Sequence, residues 1–503
     1  MTTPKNPTQT QLEELNRAIA LHLRNDLPAA EAAYRALIAQ QPRVPDAYSN
    51  LARICSASGR SPEAIALCGK ALLLDPHHLE SLVLLGLALR DRGELEKAGL
   101  CYRAALDIKA DIPEVLYNLG NLLQEKGEVV EAGQCYRQAL SVQPHFPLAH
   151  YNLGNSCRDQ GRLEDAITHY RESIAQDPSA PLAHNNLGNA LMHQDRLEPA
   201  IASYQQALKL QPDYPDAMYN LGNALYLMGE LEQAQPWFAR AGIKDWRARC
   251  LYCYYKTEQY DAFARELQAS LAQEHTSPQI AALSAHYAIN CGKADEYNFC
   301  PQPLSHVYHR RLQELSATHS PLRLALLATI AEVDMSQRHQ GRLHQGVQSA
   351  GNLFLRDEAP LQELAGVIRE HFVAYQEHFR DSCCTLVQQF PVPTEFESAW
   401  YIRMQQGGHL DAHIHETGWL SGVVYLALPA TGDSGNEGAL ELGLHGDGYP
   451  ILQAGFPSTI VPVSVGDIVL FPSSLFHRTI PFCSAEERIC IAFDLKPKPG
   501  RSK

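Results

Sequence analysis

The sequence predicts a multidomain α plus β protein, in which an all-helical first half precedes a second half rich in short strands. Two observations carry this prediction. Marker residues recur every 34 positions through the first half, and apolar residues alternate in short segments after residue 400. A chain of 503 residues is also too long for one ordinary core. We expect repeats over 11–248, a helical cap and linker over 249–315, and a β domain over 316–503.

The 34-residue period rests on three residue types, each on its own grid. Apolar residues between the markers have helical spacing, as in Leu116, Leu119 and Leu123. We predict a helix pair in each unit, in which alanine and glycine allow close helix approach and proline ends the second helix. The grids are Pro42, Pro76, Pro144, Pro178 and Pro212, with Ala110 in the vacant place; Gly59, Gly93, Gly127, Gly161 and Gly229; and Ala30, Ala64, Ala98, Ala132, Ala166, Ala200 and Ala234.

These units resemble the tetratricopeptide repeat, with about seven of them over 11–248. The resemblance implies a right-handed helical superhelix with a concave groove. Two asparagine series share one phase each: Asn118, Asn152, Asn186 and Asn220, preceded by Asn50, and Asn121, Asn155, Asn189 and Asn223. Amides both donate and accept, so a ladder of them can bind the backbone of an extended peptide. It is similar to the ladder in the repeats of O-linked N-acetylglucosamine transferase; the alternative is that these asparagines are exposed and have no binding role.

Composition limits the partners. The net charge of -14 argues against nucleic acid, which needs a concentrated basic surface. Charged residues at 19% and apolar residues at 45% are typical of a soluble globular protein. The 13 cysteines favour reduced thiols rather than a disulfide scaffold. With neither a signal-like apolar region nor a segment long enough to span a bilayer, we expect a cytoplasmic protein without a membrane partner. The sequence leaves the oligomeric state open.

The second half contains segments of strand-like composition at 400–404, 421–428, 439–444, 468–471 and 488–495, preceded by a helical stretch at 361–378. Many short strands punctuated by glycine and proline indicate a sandwich or barrel. We interpret the glycine-rich run 430–450 as hairpin turns rather than as a phosphate loop or a second metal site through His445 and Asp447. The segment 345–354 is a candidate lid or substrate edge.

Two histidines open the apolar segment HIHETGWLSGVVYL, and a third lies in LFPSSLFHRTIPF. In a strand, residues two apart point to one face, so His413 and His415 should project together. Imidazole suits Fe(II), Zn(II), Cu(II) and Ni(II), and three ligands with open positions are typical of non-haem iron oxygenases. His477 supplies the distant third ligand. Arg488, eleven residues later, can bind a carboxylate bidentately.

These residues resemble the 2-oxoglutarate and Fe(II)-dependent oxygenases, specifically a prolyl-hydroxylase-like group with HxHxxxxLSGVxYL and FPSxLxHxxxPFxxxxxR. The resemblance covers roughly 340–497. It implies a double-stranded β-helix, or jelly roll, with iron held by His413, His415 and His477. It also implies that Arg488 binds the distal carboxylate of 2-oxoglutarate, that Ser421 assists it, and that Cys490 takes the place of a small polar residue nearby.

One position departs from the wider superfamily, which has HxD or HxE where this chain has His415. Three neutral imidazoles leave the iron centre one unit more positive than two imidazoles and a carboxylate. Asp411, with His409, is a rival HxD pair on the same strand, whereas Glu416 should point to the opposite face. We favour His415 because its spacing to LSGVVYL follows the closer group.

The predicted function is therefore a hydroxylase that uses Fe(II), 2-oxoglutarate and O2 on a protein or peptide captured by the repeat groove. Two alternatives differ in class. In one, the repeats are a protein-binding scaffold and the barrel is catalytically silent. In the other, the three histidines serve a dioxygenase that does not use 2-oxoglutarate.

Overall fold

A computed structural model describes residues 9–497 except 274, 318, 333–336, 339–340, 391–393 and 431–434. The chain forms two compact units, Met1–Met228 and Gly229–Lys503. The division falls within the seventh predicted repeat, and the domain limits at 248 and 315 remain predictions. Within the described ranges, every helix falls short of the length or apolar character that crossing a membrane requires.

The first unit consists of helices packed in consecutive pairs, as the 34-residue period predicts. The helices are α1 Gln9–Leu23, α2 Leu27–Gln40, α3 Pro45–Ala57, α4 Ser61–Leu74, α5 Leu79–Asp91, α6 Leu95–Ile108, α7 Pro113–Glu125, α8 Val129–Val142, α9 Pro147–Asp159, α10 Leu163–Gln176, α11 Pro181–Met192, α12 Leu197–Leu210 and α13 Pro215–Leu227. Several of these helices begin with proline. Proline is tolerated there because a backbone N–H in the first turn has no partner within the helix.

The helices approach one another closely at buried alanines, as predicted, but at a different set of glycines from the predicted one. Each of these glycines faces a tyrosine. The alanine grid is buried throughout. The predicted glycine grid lies in turns between helices, where Gly59, for example, has φ +72° and open space around it. Asn25 and Asp195 occupy the same grid with φ of 62° and 58°, so the position requires a left-handed residue. The close approach occurs instead at Gly86, Gly120, Gly154 and Gly188, each of which faces a buried tyrosine ring.

The second unit begins with helices and continues into the sheet. Its helices are α14 Leu231–Ala241, α15 Trp246–Lys256, α16 Tyr260–Ser270, α17 Pro278–Cys291, α18 Gln313–Ser316, α19 Pro321–Glu332, α20 Ala359–His378 and α21 Thr385–Gln388, with 3₁₀ turns at Pro303–His306 and Leu353–Leu355. Helix α20 matches the helical stretch predicted at 361–378.

The strands form one curled antiparallel sheet in the order β1-β8-β5-β10-β4-β9-β6-β7, with β3 paired to β4 and β2 paired to β3. This mixed architecture confirms the predicted fold class. Strand β4 is far longer than predicted. Its first part pairs with β10, and its end pairs with β9. The strands are β1 Tyr308–Arg311, β2 Gln337–Arg338, β3 Leu343–Ser349, β4 Thr394–His413, β5 Leu420–Ala427, β6 Leu440–Gly443, β7 Ser458–Val461, β8 Asp467–Pro472, β9 Phe476–Thr479 and β10 Arg488–Pro497.

Candidate metal centre

Two paired strands bring the three predicted histidines together. His413, the last residue of β4, is directly opposite His477 of β9. A register shift between Leu410 and His413 turns the end of β4 so that His413 faces the interior. His415 lies beyond the end of the strand, yet its ring returns to the other two. One ring nitrogen from each histidine lies within 4.8 Å of the others.

Each imidazole is oriented by an oxygen that faces Nδ1. The Nδ1 of His413 lies 2.8 Å from the carbonyl oxygen of Asp411, and that of His477 lies 3.3 Å from the carbonyl of Leu475. The Nδ1 of His415 lies 2.5 Å from Oδ1 of Asp494. Because each Nδ1 faces an acceptor, the neutral ring carries its proton there and keeps an Nε2 lone pair for a metal.

Burial keeps the paired histidines neutral. Burial first, and the charge of His415 second, lower the pKa of His413 to about 3. Burial, together with the other two rings, holds the pKa of His477 well below its usual value. Neutral imidazole is the form that binds a metal ion, so the pair is ready to act as ligands near neutral pH.

A buried carboxylate lies behind His415. Besides His415, Asp494 accepts hydrogen bonds from Ser421 Oγ at 2.7 Å and Ser398 Oγ at 2.9 Å. Burial opposes the charged carboxylate. The charge of His415 and the hydrogen bonds from His415, Ser421 and Ser398 outweigh burial, so the pKa of Asp494 is lowered. The HxH motif lacks a carboxylate ligand, but the carboxylate of Asp494 places a negative charge directly behind the ligand His415.

The histidines line a cavity of about 540 Å³ that also contains Arg488. Arg488 is 2% exposed and donates from Nε to the carbonyl of Gly438 at 3.1 Å, while Nη1 lies 3.3 Å from Cys490 Sγ. Among the described residues, the guanidinium has no carboxylate partner. A buried cation without a counterion is costly, so this cavity is suited to an anionic ligand.

Tyr425 is a cavity residue that sequence reasoning missed. Its ring lies below the Arg488 guanidinium, 5.1 Å from centroid to Cζ, and its buried hydroxyl has no partner among the described residues. The signal was present, since Tyr425 follows Val423 at the strand period and belongs to the VVYL segment. The Ser421 hydroxyl donates to Asp494 and bonds Ser473, and its predicted assistance to the distal carboxylate stays a prediction.

The rival ligand pair lies apart from the three-histidine cluster. Asp411 is exposed, and its Oδ2 lies 3.0 Å from Nε2 of His344, whose ring stacks on His409. The register shift in β4 explains this, because it turns Asp411 away from the face that carries His413. The geometry therefore disfavours Asp411 as the third ligand.

The other candidate segments also have defined places. Gln348 to Gly351 line the cavity, so part of the predicted lid forms one of its walls. Glu416 forms an ion pair with Arg249 of α15 at 2.9 Å. Asp447 pairs with Arg342 at 2.6 Å and accepts from Tyr252 at 2.9 Å. Its carboxylate is thus engaged in contacts that hold the loop after β6.

The asparagines of the first unit form an internal network. Tyr136 donates to Asn121 Oδ1 at 2.9 Å, and Asn152 Nδ2 donates to the same oxygen at 2.8 Å. The pattern repeats one unit later, where Tyr170 and Asn186 donate to Asn155 Oδ1, and again at Asn189. Asn121, Asn152 and Asn155 line a cavity of about 360 Å³. The ladder therefore links neighbouring repeats and also borders a concave surface.

Models of known families match two separate parts of the chain. A family model described as "Putative 2OG-Fe(II) oxygenase" matches residues 398–494. A model described as "TPR repeat" matches 86–127, 120–156, 154–195 and 189–229, and one described as "Tetratricopeptide repeat" matches 15–72. A comparison with curated proteins found no match.

Several solved structures are similar to part of the chain. YrrB, described as a TPR protein with an unusual peptide-binding site, is 22% identical over 37% of this chain and 96% of its own, with a TM-score of 0.34. Pseudomonas aeruginosa PilF is 23% identical over 38% of this chain and 90% of its own, with a TM-score of 0.34. MamA is 23% identical over 32% and 95%, with a TM-score of 0.31. From the family matches, the chain is a fusion of tetratricopeptide repeats with a C-terminal domain that matches the 2OG-Fe(II) oxygenase family.

Proposed function

We propose that the protein is an Fe(II)- and 2-oxoglutarate-dependent hydroxylase of a protein or peptide substrate. The observation that carries the proposal is one cavity in which three histidine nitrogens lie within 4.8 Å of one another and a buried arginine has no counterion among the described residues. Three imidazoles suit iron and the guanidinium suits a carboxylate.

The residues fit a ferrous ion. His413, His415 and His477 would hold it through Nε2, since each Nδ1 faces an oxygen. When bound with 2-oxoglutarate and O2, the iron supplies the oxidising chemistry that decarboxylates the oxoacid to succinate and transfers one oxygen atom to the substrate. Asp494 is a positioning residue: by accepting from His415 it makes that imidazole more electron-rich and offsets the missing ligand carboxylate.

Arg488 and Tyr425 would bind the distal carboxylate of 2-oxoglutarate. The guanidinium forms two hydrogen bonds to a carboxylate in a fixed plane, and the tyrosine hydroxyl can donate a third. Cys490 holds the guanidinium through its contact with Nη1. The cavity walls exclude bulk water from this ion pair, which strengthens it.

The repeats would supply the macromolecular substrate. Asn121, Asn155 and Asn189 use Oδ1 within the internal network. Their Nδ2 donors have no partner among the described residues, so they remain for the carbonyls of an extended peptide. In this proposal the Nδ2 group of each asparagine donates to the peptide, while the bonds that Oδ1 accepts fix the orientation of the side chain.

The test is succinate release from 2-oxoglutarate by the purified full chain, with and without Fe(II). We expect iron-dependent release that is lost in His413→Ala and strongly reduced in Arg488→Ala. His445→Ala is the matched control, since His445 lies outside the three-histidine cluster. Oxygen consumption that needs iron but not 2-oxoglutarate would favour the three-histidine dioxygenase. Absence of any turnover in iron-loaded protein with a proteome-derived peptide mixture would favour a silent barrel.

Peptide capture is tested separately. Asn121→Ala combined with Asn155→Ala should weaken binding of a peptide library to the full chain and leave uncoupled 2-oxoglutarate turnover unchanged. Gln138→Ala with Glu172→Ala, two exposed positions of α8 and α10, is the control. Unchanged peptide binding in the asparagine variant would remove the ladder from the proposal.

A further inference from the structure

A second cluster of metal-ligating side chains lies in the second unit, outside the cavity described above. Cys300 follows α17, His306 ends a 3₁₀ turn, and Cys384 immediately precedes α21. One ligand atom from each lies within 4.8 Å of the others. Eighty-four positions separate the two cysteines in the sequence, so only the folded chain brings them together.

The distances suit a tetrahedral ion. His306 Nε2 lies 3.8 Å from Cys384 Sγ. Zn–S bonds of about 2.3 Å and Zn–N bonds of about 2.0 Å at a tetrahedral angle place the two donors about 3.5 Å apart. A shift of a few tenths of an ångström, well within side-chain freedom, therefore brings this pair of donors to the spacing of two ligands of one tetrahedral ion.

The histidine is oriented as a ligand. Its Nδ1 lies 3.0 Å from the carbonyl oxygen of Gln302, which fixes the proton on Nδ1 and directs Nε2 towards the sulfur atoms. Phe379 packs on the ring, with centroids 5.0 Å apart, and Tyr375 donates to the carbonyl of His306 at 3.1 Å. These contacts hold the imidazole in one orientation.

The backbone around the cysteines is also fixed. Thr385 N donates to Asn298 O at 2.9 Å, and Leu386 N donates to Phe299 O at 3.0 Å. Cys300 and Cys384 are 2% and 3% exposed, so neither is open to a macromolecular substrate.

We propose that Cys300, His306 and Cys384 form a Zn²⁺ site with the Ser382 hydroxyl or a water as fourth ligand. Ser382 Oγ lies 2.9 Å from His306 Nε2 and 3.2 Å from Cys384 Sγ, beside the three donors. Thiolate and imidazole together select zinc over the harder cations. Zn²⁺ binding releases the thiol protons of Cys300 and Cys384 to solvent, and the ion then links the segment after α17 to the start of α21. The role is structural.

The test uses Co²⁺ as a spectroscopic probe in the chelator-stripped full chain. Thiolate ligands give an intense near-ultraviolet charge-transfer absorption with Co²⁺, whereas the three-histidine site has no sulfur donor and gives none. We expect this band to appear and saturate by two equivalents of Co²⁺, since the three-histidine site also takes the ion, and we expect its displacement by Zn²⁺ and its loss in Cys384→Ser. Cys383→Ser is the matched control, because Cys383 is adjacent but exposed.

The outcomes separate this proposal from the oxygenase proposal. The Co²⁺ titration of the unaltered chain does not depend on the folding of any variant. Absence of the charge-transfer band in that titration overturns the zinc site. A disulfide between Cys300 and Cys384, found by peptide mass mapping without reductant, also overturns it. Retention of the band in His413→Ala is expected, whatever happens to turnover.

Discussion

The Asp494→Asn substitution isolates the carboxylate behind His415. Asparagine has nearly the same size and shape. Its Oδ1 can still accept from His415 and Ser421, and its Nδ2 can donate to Ser398, whose hydroxyl now faces Oδ2 at 2.9 Å. The substitution therefore keeps the three contacts and removes only the charge.

The expected magnitude follows from those contacts. A hydrogen bond to a charged group contributes about 1.5–3 kcal/mol and a neutral one about 0.5–1.5 kcal/mol. The loss for the His415 contact at 2.5 Å is then about 1–2 kcal/mol, or roughly 10-fold in an equilibrium constant. Comparable substitutions behind ligand histidines cost about 10- to 100-fold in metal affinity. We expect Fe(II) to bind about 10- to 100-fold more weakly.

The assay is anaerobic Fe(II) titration in the presence of 2-oxoglutarate, followed by the visible absorption of the Fe(II)–oxoacid complex. This absorption reports Fe(II) binding in the three-histidine cavity alone, because only there does the ion meet the oxoacid. Asp467→Asn is the control, because Asp467 is an equally buried carboxylate whose Oδ2 lies 2.8 Å from His309, outside the cavity. Unchanged affinity in Asp494→Asn, or an equal loss in Asp467→Asn, would refute the reasoning.

Three further outcomes are expected. Tyr425→Phe should raise the KM for 2-oxoglutarate by about 10- to 100-fold, since it removes one hydrogen bond to a charged group. Gly120→Ala should lower the free energy of unfolding of the first unit by about 1–3 kcal/mol, measured by urea denaturation, because its Cβ would lie 2.5 Å from Tyr136 Cε1. Burial and the charge of His445 lower the pKa of His286 to about 3. The stabilisation from neutral His286 is complete above pH 6.5 and is lost as the pH falls towards 3, by up to about 1.4 kcal/mol per pH unit, and His286→Gln should flatten the pH dependence of the urea midpoint.

Each of these has its control. The Fe(II) affinity of Tyr425→Phe should equal that of the parent, and a fall would mean that the ring supports the metal site. Gly69→Ala should stabilise by about 0.5–1 kcal/mol, because a Cβ there meets nothing within 4 Å; equal effects of the two glycine variants would contradict the packing argument. A stability profile of His286→Gln that matches the parent between pH 8 and 5 would exclude His286 as the titrating group.

The repeat architecture was predictable because each unit packs mainly on its neighbours in the sequence. Local patterns such as the alanine grid therefore report tertiary contacts directly. The prediction that the glycines at Gly59 and its equivalents allow close helix approach is wrong, and the limit of periodicity explains why. A period identifies recurring positions, but it does not distinguish a turn that needs φ of +72° at Gly59 from a crossing that needs space at Gly120.

In the second unit, strand segments and the three histidines were predictable from strand spacing and the HxH motif. The length of β4, its register shift, and strands β1, β7 and β9 were not, because short strands acquire their register from partners far along the chain.

The sequence by itself determined which chemical groups are available: three imidazoles, one guanidinium and a ladder of amides at fixed spacing. Only the tertiary structure decided which of them act together. A register shift at the end of β4 turns Asp411 away from the histidine cluster, and Asp494 of β10 lies 2.5 Å from His415, 79 positions earlier in the chain. Likewise Cys300 and Cys384 meet because the segment after α17 pairs with the start of α21. Contacts between residues distant in the sequence depend on packing and strand register, which no local pattern encodes.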